Sequence, residues 1–345
     1  MFDKLRNRLH NICMVESMPN ETFTMQDIAE ELGISRSTVS RALSDSSRIS
    51  RFTKDKVRDC AARHGFTPNL VARALASKKT FNIAAVLPME ATAMQVSFFH
   101  ECLSGIVSRS SKAGYSVLIC MTVDNDLSIL KNSIQNKKVD AFILTQLKRN
   151  DKALELIQKS GIPFVVIGSS EQDEVIQVDS RMEENCRSFT VKCVRNLAPE
   201  QKVLFVCGSL DVEANNKRLS GFLSGMENAG FEQKRFAVCT DVQDITDEIS
   251  PGAWDLILCS DDIVCLKVMD ELSKQNLTIG KDVGLASFHD SVFLQQAEIP
   301  VSALRVDAFA LGSEAADVAL ERLSGHQVQN HNYVDASFMM RNSTL

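Results

Sequence analysis

The 345-residue sequence lacks paired cysteines, since its ten cysteines are scattered singly, without a Cys-x-x-Cys pair or a Cys/His spacing typical of zinc sites. Several lie in apolar runs, as buried cysteines do in a reducing cytosol. No apolar run reaches the length of about 18 residues that is needed to span a membrane. The charged amino terminus is not followed by the apolar core of a secretory signal. We therefore expect a cytoplasmic protein that does not enter the membrane.

Motifs of the common catalytic classes are also absent. The sequence has no Gly-x-Ser-x-Gly nucleophile elbow, no glycine-rich phosphate-binding loop and no His-Glu-x-x-His motif. Enzyme activity therefore has no support in the sequence. We expect a binding protein that is not an enzyme and that uses neither a cofactor nor a metal ion.

The whole chain has fewer basic than acidic residues and carries a net charge of −6, but the charges are unevenly distributed along it. Residues 1–80 hold 14 lysines and arginines against 9 acidic residues, a net charge of +5. The remaining residues hold 24 against 35, a net charge of −11. A basic amino-terminal part on an acidic body indicates a protein that binds nucleic acid by one end.

Residues 24–43 have the pattern of two short amphipathic helices joined by a turn. Thr24 is a candidate N-cap of the first helix, and Gly33 can adopt the backbone angles of the turn. Ser35 is the candidate N-cap of the second helix. The first helix has apolar residues at the spacing that places them on one face: Met25, Ile28, Ala29 and Leu32. The second helix carries hydrogen-bonding groups on its outer face: Arg36, Ser37, Ser40 and Arg41.

This pattern is typical of a helix-turn-helix, whose second helix fits a DNA major groove, where arginine can make two hydrogen bonds to guanine. An ordinary helical hairpin with a solvated face is the alternative. A third helix is predicted over residues 50–64, ended by Gly65, and a short helix follows over residues 70–76.

Taken together, residues 24–80 resemble the DNA-binding headpiece and hinge of the lactose-repressor (galactose-repressor) family of bacterial transcription regulators. His64 departs from the family pattern, which has an apolar residue there, and we interpret it as a structural histidine at a helix end. The matching segments include Asp27-Ile28-Ala29, Gly33-Ile34-Ser35, Thr38-Val39-Ser40-Arg41, Gly65-Phe66, Pro68-Asn69 and Ala72-Arg73 with Leu75.

The resemblance implies DNA contacts for ten residues. Those that would read base edges are Arg36, Ser37 and Arg41. Those that would hold phosphates or adjoining groups are Thr38, Ser40, Ser44, Arg48 and Asn69. Ala72 lies in the matching hinge segment, and Leu75 sits where paired hinge helices push a leucine between base pairs in the minor groove. A core or dimer contact is the alternative for Leu75.

From residue 81 onward, apolar runs alternate with helical patterns. Residues 83–87 form a continuous apolar run that ends at Pro88, as expected for a buried parallel strand. Two successive series of strand and helix predict two doubly wound lobes, with ligands bound outside the carboxyl ends of the strands. The family resemblance continues to residue 345, and it implies a body like periplasmic sugar-binding proteins, in which the chain crosses between lobes near residues 180, 305 and 330.

The predicted fold is therefore an α-helical helix-turn-helix headpiece plus an α/β body of two doubly wound parallel-sheet lobes. Residues 24–69 form the headpiece, 70–80 the hinge helix, and 81–345 the effector-binding and dimerisation domain. Residues 1–23 are an extension, either a flexible basic arm or a segment upstream of the true start at Met14 or Met18.

Six residues are candidates for an effector site between the lobes: Phe98, Phe99, Ser169, Arg218, Asp261 and His289. Arg218 sits where family members hold a ligand hydroxyl or carboxylate, with a solvated arginine at a helix start as the alternative. Asp261 stands where asparagine is common and is equally explained as a structural carboxylate. His289 replaces an aspartate often used on ligand. Phe98 and Phe99 could stack on a sugar, with one of the two in the core.

These features predict a DNA-binding transcription regulator, a repressor of sugar-utilisation genes, that acts as a homodimer on a palindromic double-stranded operator. A sugar or sugar derivative between the lobes would be its allosteric effector, and a tetramer is the alternative assembly. Two other functions stay open. One is a DNA-binding regulator that has a degenerate cleft and is controlled by a protein partner. The other is a sugar-binding protein with no regulatory role.

Overall fold

The computed structural model describes residues 23–44, 47–67, 74, 77–88, 96–122, 126–240 and 245–344. Its contacts divide the chain into two compact units, residues 1–79 and 80–345. We call the first unit the headpiece and the second the body, and each is described by itself. No helix in these described ranges is long and apolar enough to cross a membrane.

The described headpiece contains three helices, α1 (Met25–Leu32), α2 (Arg36–Leu43) and α3 (Arg51–Arg63). Thr24 caps α1 in a capping box with Asp27, and Gly33 ends the helix with a φ of 62°. The hydroxyls of Ser35 and Ser50 cap α2 and α3. The observed helix α3 is thus one residue shorter at each end than the predicted helix over residues 50–64. The helices share a small core of Ile28, Ala29, Val39, Ala42, Val57, Cys60 and Ala61.

The first lobe of the body is built on a six-stranded parallel sheet in the order β11-β5-β4-β3-β1-β2. Its strands are β1 (Asn82–Pro88), β2 (Ser116–Thr122), β3 (Ala141–Leu144), β4 (Phe164–Ile167), β5 (Gln177–Asp179) and β11 (His331–Tyr333). Its helices are α4 (Val96–Lys112), α5 (Ser128–Gln135), α6 (Lys152–Ser160) and α12 (Ala308–Leu323). Apolar clusters on both faces of the sheet bury these helices against it.

The second lobe has the sheet order β12-β10-β9-β8-β6-β7, in which only β12 is antiparallel. Its strands are β6 (Val203–Val206), β7 (Phe236–Cys239), β8 (Leu256–Cys259), β9 (Gly284–Ser287), β10 (Ser302–Val306) and β12 (Ala336–Met339). Its α-helices are α7 (Met182–Val194), α8 (Glu213–Asn228), α9 (Ile245–Glu248), α10 (Asp262–Lys274) and α11 (Val292–Gln295), and a 3-10 turn spans Gln233–Arg235. The predicted pair of doubly wound lobes is confirmed.

The chain crosses between the lobes three times, after β5, after β10 and between β11 and β12. These crossings lie near residue 180, just after residue 306 and between residues 333 and 336, as the resemblance predicted. Because of the second crossing, α12 comes directly after β10 of the second lobe in sequence but packs in the core of the first.

Helices α4 and α12 approach each other closely within the first lobe. A Cβ atom added at Gly312 would lie 1.9 Å from the carbonyl oxygen of Cys102, and one added at Gly105 would lie 2.2 Å from that of Phe309. Farther along the same pair of helices, the guanidinium of Arg109 donates to both carboxylate oxygens of Asp317 at 2.6 to 2.9 Å. Only glycine permits this backbone contact between the two helices.

Candidate functional sites

The outer face of α2 in the headpiece carries the polar side chains that the sequence singled out. Helix α2 buries Val39 and Ala42, and this orientation leaves its opposite face in solvent. The exposed residues on that face are Arg36, Ser37, Ser40 and Arg41. Two arginines and two hydroxyls on one exposed helical face can donate hydrogen bonds to base edges and phosphates.

The remaining predicted DNA contacts divide into two groups. Thr38 is half-buried, with its hydroxyl 2.9 Å from that of Ser35, so its side chain is shared with the helix cap. Ser44 is exposed and its hydroxyl donates to the carbonyl of Ser40, and Arg48 is exposed on the loop before α3. The other three, Asn69, Ala72 and Leu75, lie outside the described residues.

In the body, a cavity of about 140 Å³ lies between the two lobes at the carboxyl ends of their strands. All six candidate effector residues line it. Phe98 and Phe99 come from the start of α4, Ser169 follows β4, Arg218 lies on α8, Asp261 precedes α10, and His289 follows β9. Parallel strands end at one edge of a sheet, and this is why residues so distant in sequence converge.

Arg218 is held inside the cavity wall. Its side chain is only 12% exposed, and its Nη1 donates to Asn215 Oδ1 at 2.9 Å and lies 3.7 Å from Asp261 Oδ2. The Nε of Arg218 is buried and has no hydrogen-bond partner among the described residues. This placement does not fit a solvated arginine at a helix start. It leaves a charged donor able to bind an oxygen atom of a ligand.

Asp261 combines the two alternatives that the sequence left open. Its Oδ1 accepts from the backbone N–H of Val264 at 2.9 Å and so caps α10. Its Oδ2 accepts from the Ser260 hydroxyl at 3.2 Å and faces Arg218. One carboxylate oxygen is therefore structural, and the other belongs to the polar wall of the cavity.

His289 lies beside a carboxylate of its own lobe and touches an aromatic ring of the other lobe, and its buried Nδ1 has no hydrogen-bond partner among the described residues. Its Nδ1 lies 3.3 Å from Asp262 Oδ1, and its ring meets that of Phe98 edge to face at 5.4 Å. Burial acts to raise the pKa of Asp262, but the contact with His289 and its charge, aided by Ser291, outweigh burial and leave that pKa lowered. The two aromatic residues differ, since Phe99 is buried and Phe98 is half-buried beside His289.

Backbone hydrogen bonds join the two lobes beside the cavity. The N–H of Arg149 donates to the carbonyl of Asp211 at 2.7 Å, and the N–H of Glu213 donates to the carbonyl of Leu147 at 3.0 Å. Residue 148 forms an antiparallel bridge with residue 212. These bonds close one side of the cleft.

Sequence reasoning missed several polar residues of the cavity wall. The clearest is Glu213 at the start of α8, which is buried and whose Oε1 has no hydrogen-bond partner in the described part of the chain. Asp179 at the end of β5, Asp262 and Asn215 also line the cavity. Asp179 carried a usable signal, because it ends a strand at the edge where ligands bind. Four carboxylates against one arginine and one histidine favour a ligand rich in hydroxyl donors over an anion.

Two parts of the chain match known families. Residues 24–69 match the bacterial regulatory proteins of the lacI family, and residues 201–344 match the periplasmic binding protein-like domain. Over 335 residues, the chain is 26% identical to the HTH-type transcriptional regulator MalR of Staphylococcus xylosus, covering 93% of this chain and 98% of MalR.

Solved structures of similar fold include a complex of the transcriptional regulator CelR with cellobiose, with a TM-score of 0.68 at 20% identity, covering 93% of this chain and 99% of CelR. The lac repressor bound to ONPG in its repressed state has a TM-score of 0.72 at 21% identity, again covering 93% and 99%. At this level of identity, the two structures establish the shared fold.

Proposed function

We propose that this chain, which belongs to the lacI family of bacterial regulatory proteins, is a repressor of sugar-utilisation genes. It is a DNA-binding transcription regulator whose effector occupies the cavity between the two lobes. The observation that supports this function best is the pairing, in one chain, of an exposed polar recognition helix with a polar cavity between two lobes. We propose no enzymatic activity, and we expect the protein in the cytoplasm, where its DNA lies.

For the effector we propose an uncharged sugar. Hydroxyl groups can donate to the carboxylates of the cavity wall and accept from Arg218, and this would satisfy the buried Nε of Arg218 and Oε1 of Glu213. The half-buried ring of Phe98 offers an apolar surface to the C–H face of a sugar ring. A phosphate would meet four carboxylates, and like charges in a cavity cost binding energy. MalR as a relative and the cellobiose bound to CelR support the same class of ligand.

For DNA we propose that a homodimer places one α2 helix in each half of a palindromic operator. Arg36, Ser37 and Arg41 would read base edges. Phosphates and adjoining groups would be held by Thr38, Ser40, Ser44, Arg48 and Asn69. In the hinge segment, which includes Ala72, Leu75 would be the wedge between base pairs. An effector that binds the closed cleft and an open cleft with unequal affinity shifts the balance between them, and this shift changes the affinity for the operator.

The effector class is tested by thermal unfolding of the full chain with neutral sugars (glucose, maltose, cellobiose), sugar phosphates and nucleosides. A ligand at about 100 times its Kd adds about 2.7 kcal/mol of stability, which raises the midpoint of the body by several degrees. We expect a shift with a neutral sugar and none with its phosphate. Arg218→Ala should abolish the shift, whereas Arg195→Ala, at an exposed position of the same lobe, should retain it.

Control by a protein partner is the second candidate, and two contacts favour it. Asp261 caps α10 and lies 3.7 Å from Arg218 Nη1, and His289 Nδ1 lies 3.3 Å from Asp262 Oδ1. Both positions depart from the family pattern, so the polar wall partly satisfies itself. Absence of a shift with every compound of the panel would contradict the sugar proposal and support this second candidate.

A further inference from the structure

Three side chains with metal-binding atoms meet in the headpiece, away from the outer face of α2. They are Glu31 near the end of α1, Cys60 in α3, and His64 at the end of α3, and their ligand atoms all lie within 4.8 Å of one another. The spacing of four residues places Cys60 and His64 on the same side of α3. Packing of α1 on α3 brings Glu31 to that side.

Contacts around the cluster fix the side chains in this arrangement. His64 Nε2 lies 2.7 Å from Glu31 Oε2, and the ring of His64 stacks on that of Phe23 with centroids 4.0 Å apart. Arg63 binds the other carboxylate oxygen, Oε1, at 2.8 Å. The thiol of Cys60 is buried, and burial, with the hydrogen bond and the charge of Glu31, raises its pKa. Glu31 thus contacts both of the other groups, the imidazole of His64 and the thiol of Cys60.

The chemistry of this set is that of a zinc site. Thiolate, imidazole and carboxylate bind Zn²⁺ at about 2.0 to 2.3 Å, and three protein ligands leave the fourth tetrahedral position for water. Ligand atoms at such distances are separated by about 3.3 to 3.8 Å, so adjustments of about 1 Å bring the present atoms into place. The thiolate and the carboxylate together balance the charge of the ion. Arg63 can remain on Oε1 of Glu31 as the outer partner of a ligating carboxylate.

We propose that Glu31, Cys60 and His64 form a Zn²⁺ site that ties α1 to α3. The ion stabilises the folded headpiece because only the folded state brings a ligand of α1 to the two ligands of α3. Helix α2 lies between these two helices in sequence and shares their core, so the ion supports the frame that presents the DNA-reading face. The headpiece thereby becomes sensitive to zinc independently of any ligand in the body.

The test uses the full chain, stripped of metal and kept reduced with a phosphine, and Co²⁺ as a spectroscopic substitute for Zn²⁺. We expect one Co²⁺ per chain, a thiolate-to-cobalt charge-transfer band in the near ultraviolet, and loss of that band on addition of Zn²⁺. Cys60→Ser should remove the band. His64→Gln and Glu31→Gln should each weaken Co²⁺ binding at least about tenfold.

Because Cys60 is buried and its substitution can unfold the headpiece, His64→Gln at the exposed end of α3 provides the deciding variant. His326→Gln, at an exposed position of the body, is the matched control and should bind Co²⁺ as the wild type does. The proposal is overturned if no Co²⁺ binds, if the bound ion shows no thiolate band, or if His64→Gln binds it with wild-type affinity.

Discussion

Replacement of Gly312 by alanine tests the closest helix contact of the body. The new Cβ would lie 1.9 Å from the carbonyl oxygen and 2.7 Å from the carbonyl carbon of Cys102. Both atoms belong to the backbone of α4, so no side chain can rotate to make room. Helices α4 and α12 must therefore move apart along a contact that also contains Gly105 and the Arg109–Asp317 ion pair.

The size of the effect follows from two opposing contributions. Overpacking a well-packed core costs about 1 to 3 kcal/mol, and the rigidity of the clashing backbone places Gly312→Ala at the upper end of this range. Alanine is favoured over glycine in a helix interior by about 1 kcal/mol, which offsets part of the cost. We expect a net loss of about 2 kcal/mol in the free energy of unfolding of the body.

Urea unfolding of the full chain, followed by circular dichroism, measures this loss as a lower midpoint of the body transition. Glu321→Ala, at an exposed position of the same helix, is the control and should leave the free energy of unfolding within about 0.5 kcal/mol of wild type. If Gly312→Ala were as stable as wild type or more stable, the close approach of α4 and α12 would be wrong.

Three further substitutions test the two binding sites. Arg36→Ala should reduce the binding free energy by about 1 to 3 kcal/mol for the operator and by little for random DNA, as measured by fluorescence anisotropy at fixed salt. An equal loss of affinity for both DNAs would exclude base reading by Arg36. Arg48→Ala should instead weaken binding to both DNAs alike and lower the slope of the salt dependence of binding by about 1. A loss of affinity confined to the operator would contradict a phosphate contact. The pKa of Asp262 in the folded state is lowered below its ordinary value of 3.8. Ionised Asp262 therefore stabilises the body at pH values above 3.8, and this contribution is lost as the pH falls through the lowered pKa. Wild type should therefore lose stability relative to Asp262→Asn on acidification. Parallel curves of the free energy of unfolding against pH for the two proteins would refute this.

The sequence was most informative where a local rule decides the structure. Thr24 and Ser35 precede helical runs and cap them in the structure, because a hydroxyl before a helix satisfies its first N–H groups. Continuous apolar runs such as residues 83–87 became buried parallel strands. The crossing to the first lobe near residue 305 was implied only by the family resemblance, since periodicity does not say which sheet an element joins.

Polar residues that act together across elements were harder to predict. Glu213 starts a helix and looks solvated in sequence, but it is buried where its backbone N–H bonds to Leu147 of the other lobe. The cluster in the headpiece was missed for a related reason. Metal sites that a sequence reveals are pairs of cysteine and histidine at short spacing, whereas Glu31 reaches Cys60 and His64 from another helix. The sequence alone favours a structural histidine at a helix end for His64 and no metal ion, and the proposed zinc site departs from both expectations.

Sequence-specific DNA binding by the headpiece, controlled by a ligand of the body, is tested most directly by selection from random double-stranded DNA with the full chain. The selected DNA is then titrated with protein in the presence and absence of the neutral sugars of the panel. We predict that an inverted repeat is enriched, that Arg41→Ala abolishes the enrichment, and that one sugar changes the affinity for the repeat at least about tenfold, a coupling of about 1.4 kcal/mol. Recovery of unrelated sequences, or a repeat whose affinity no sugar alters, would contradict the account.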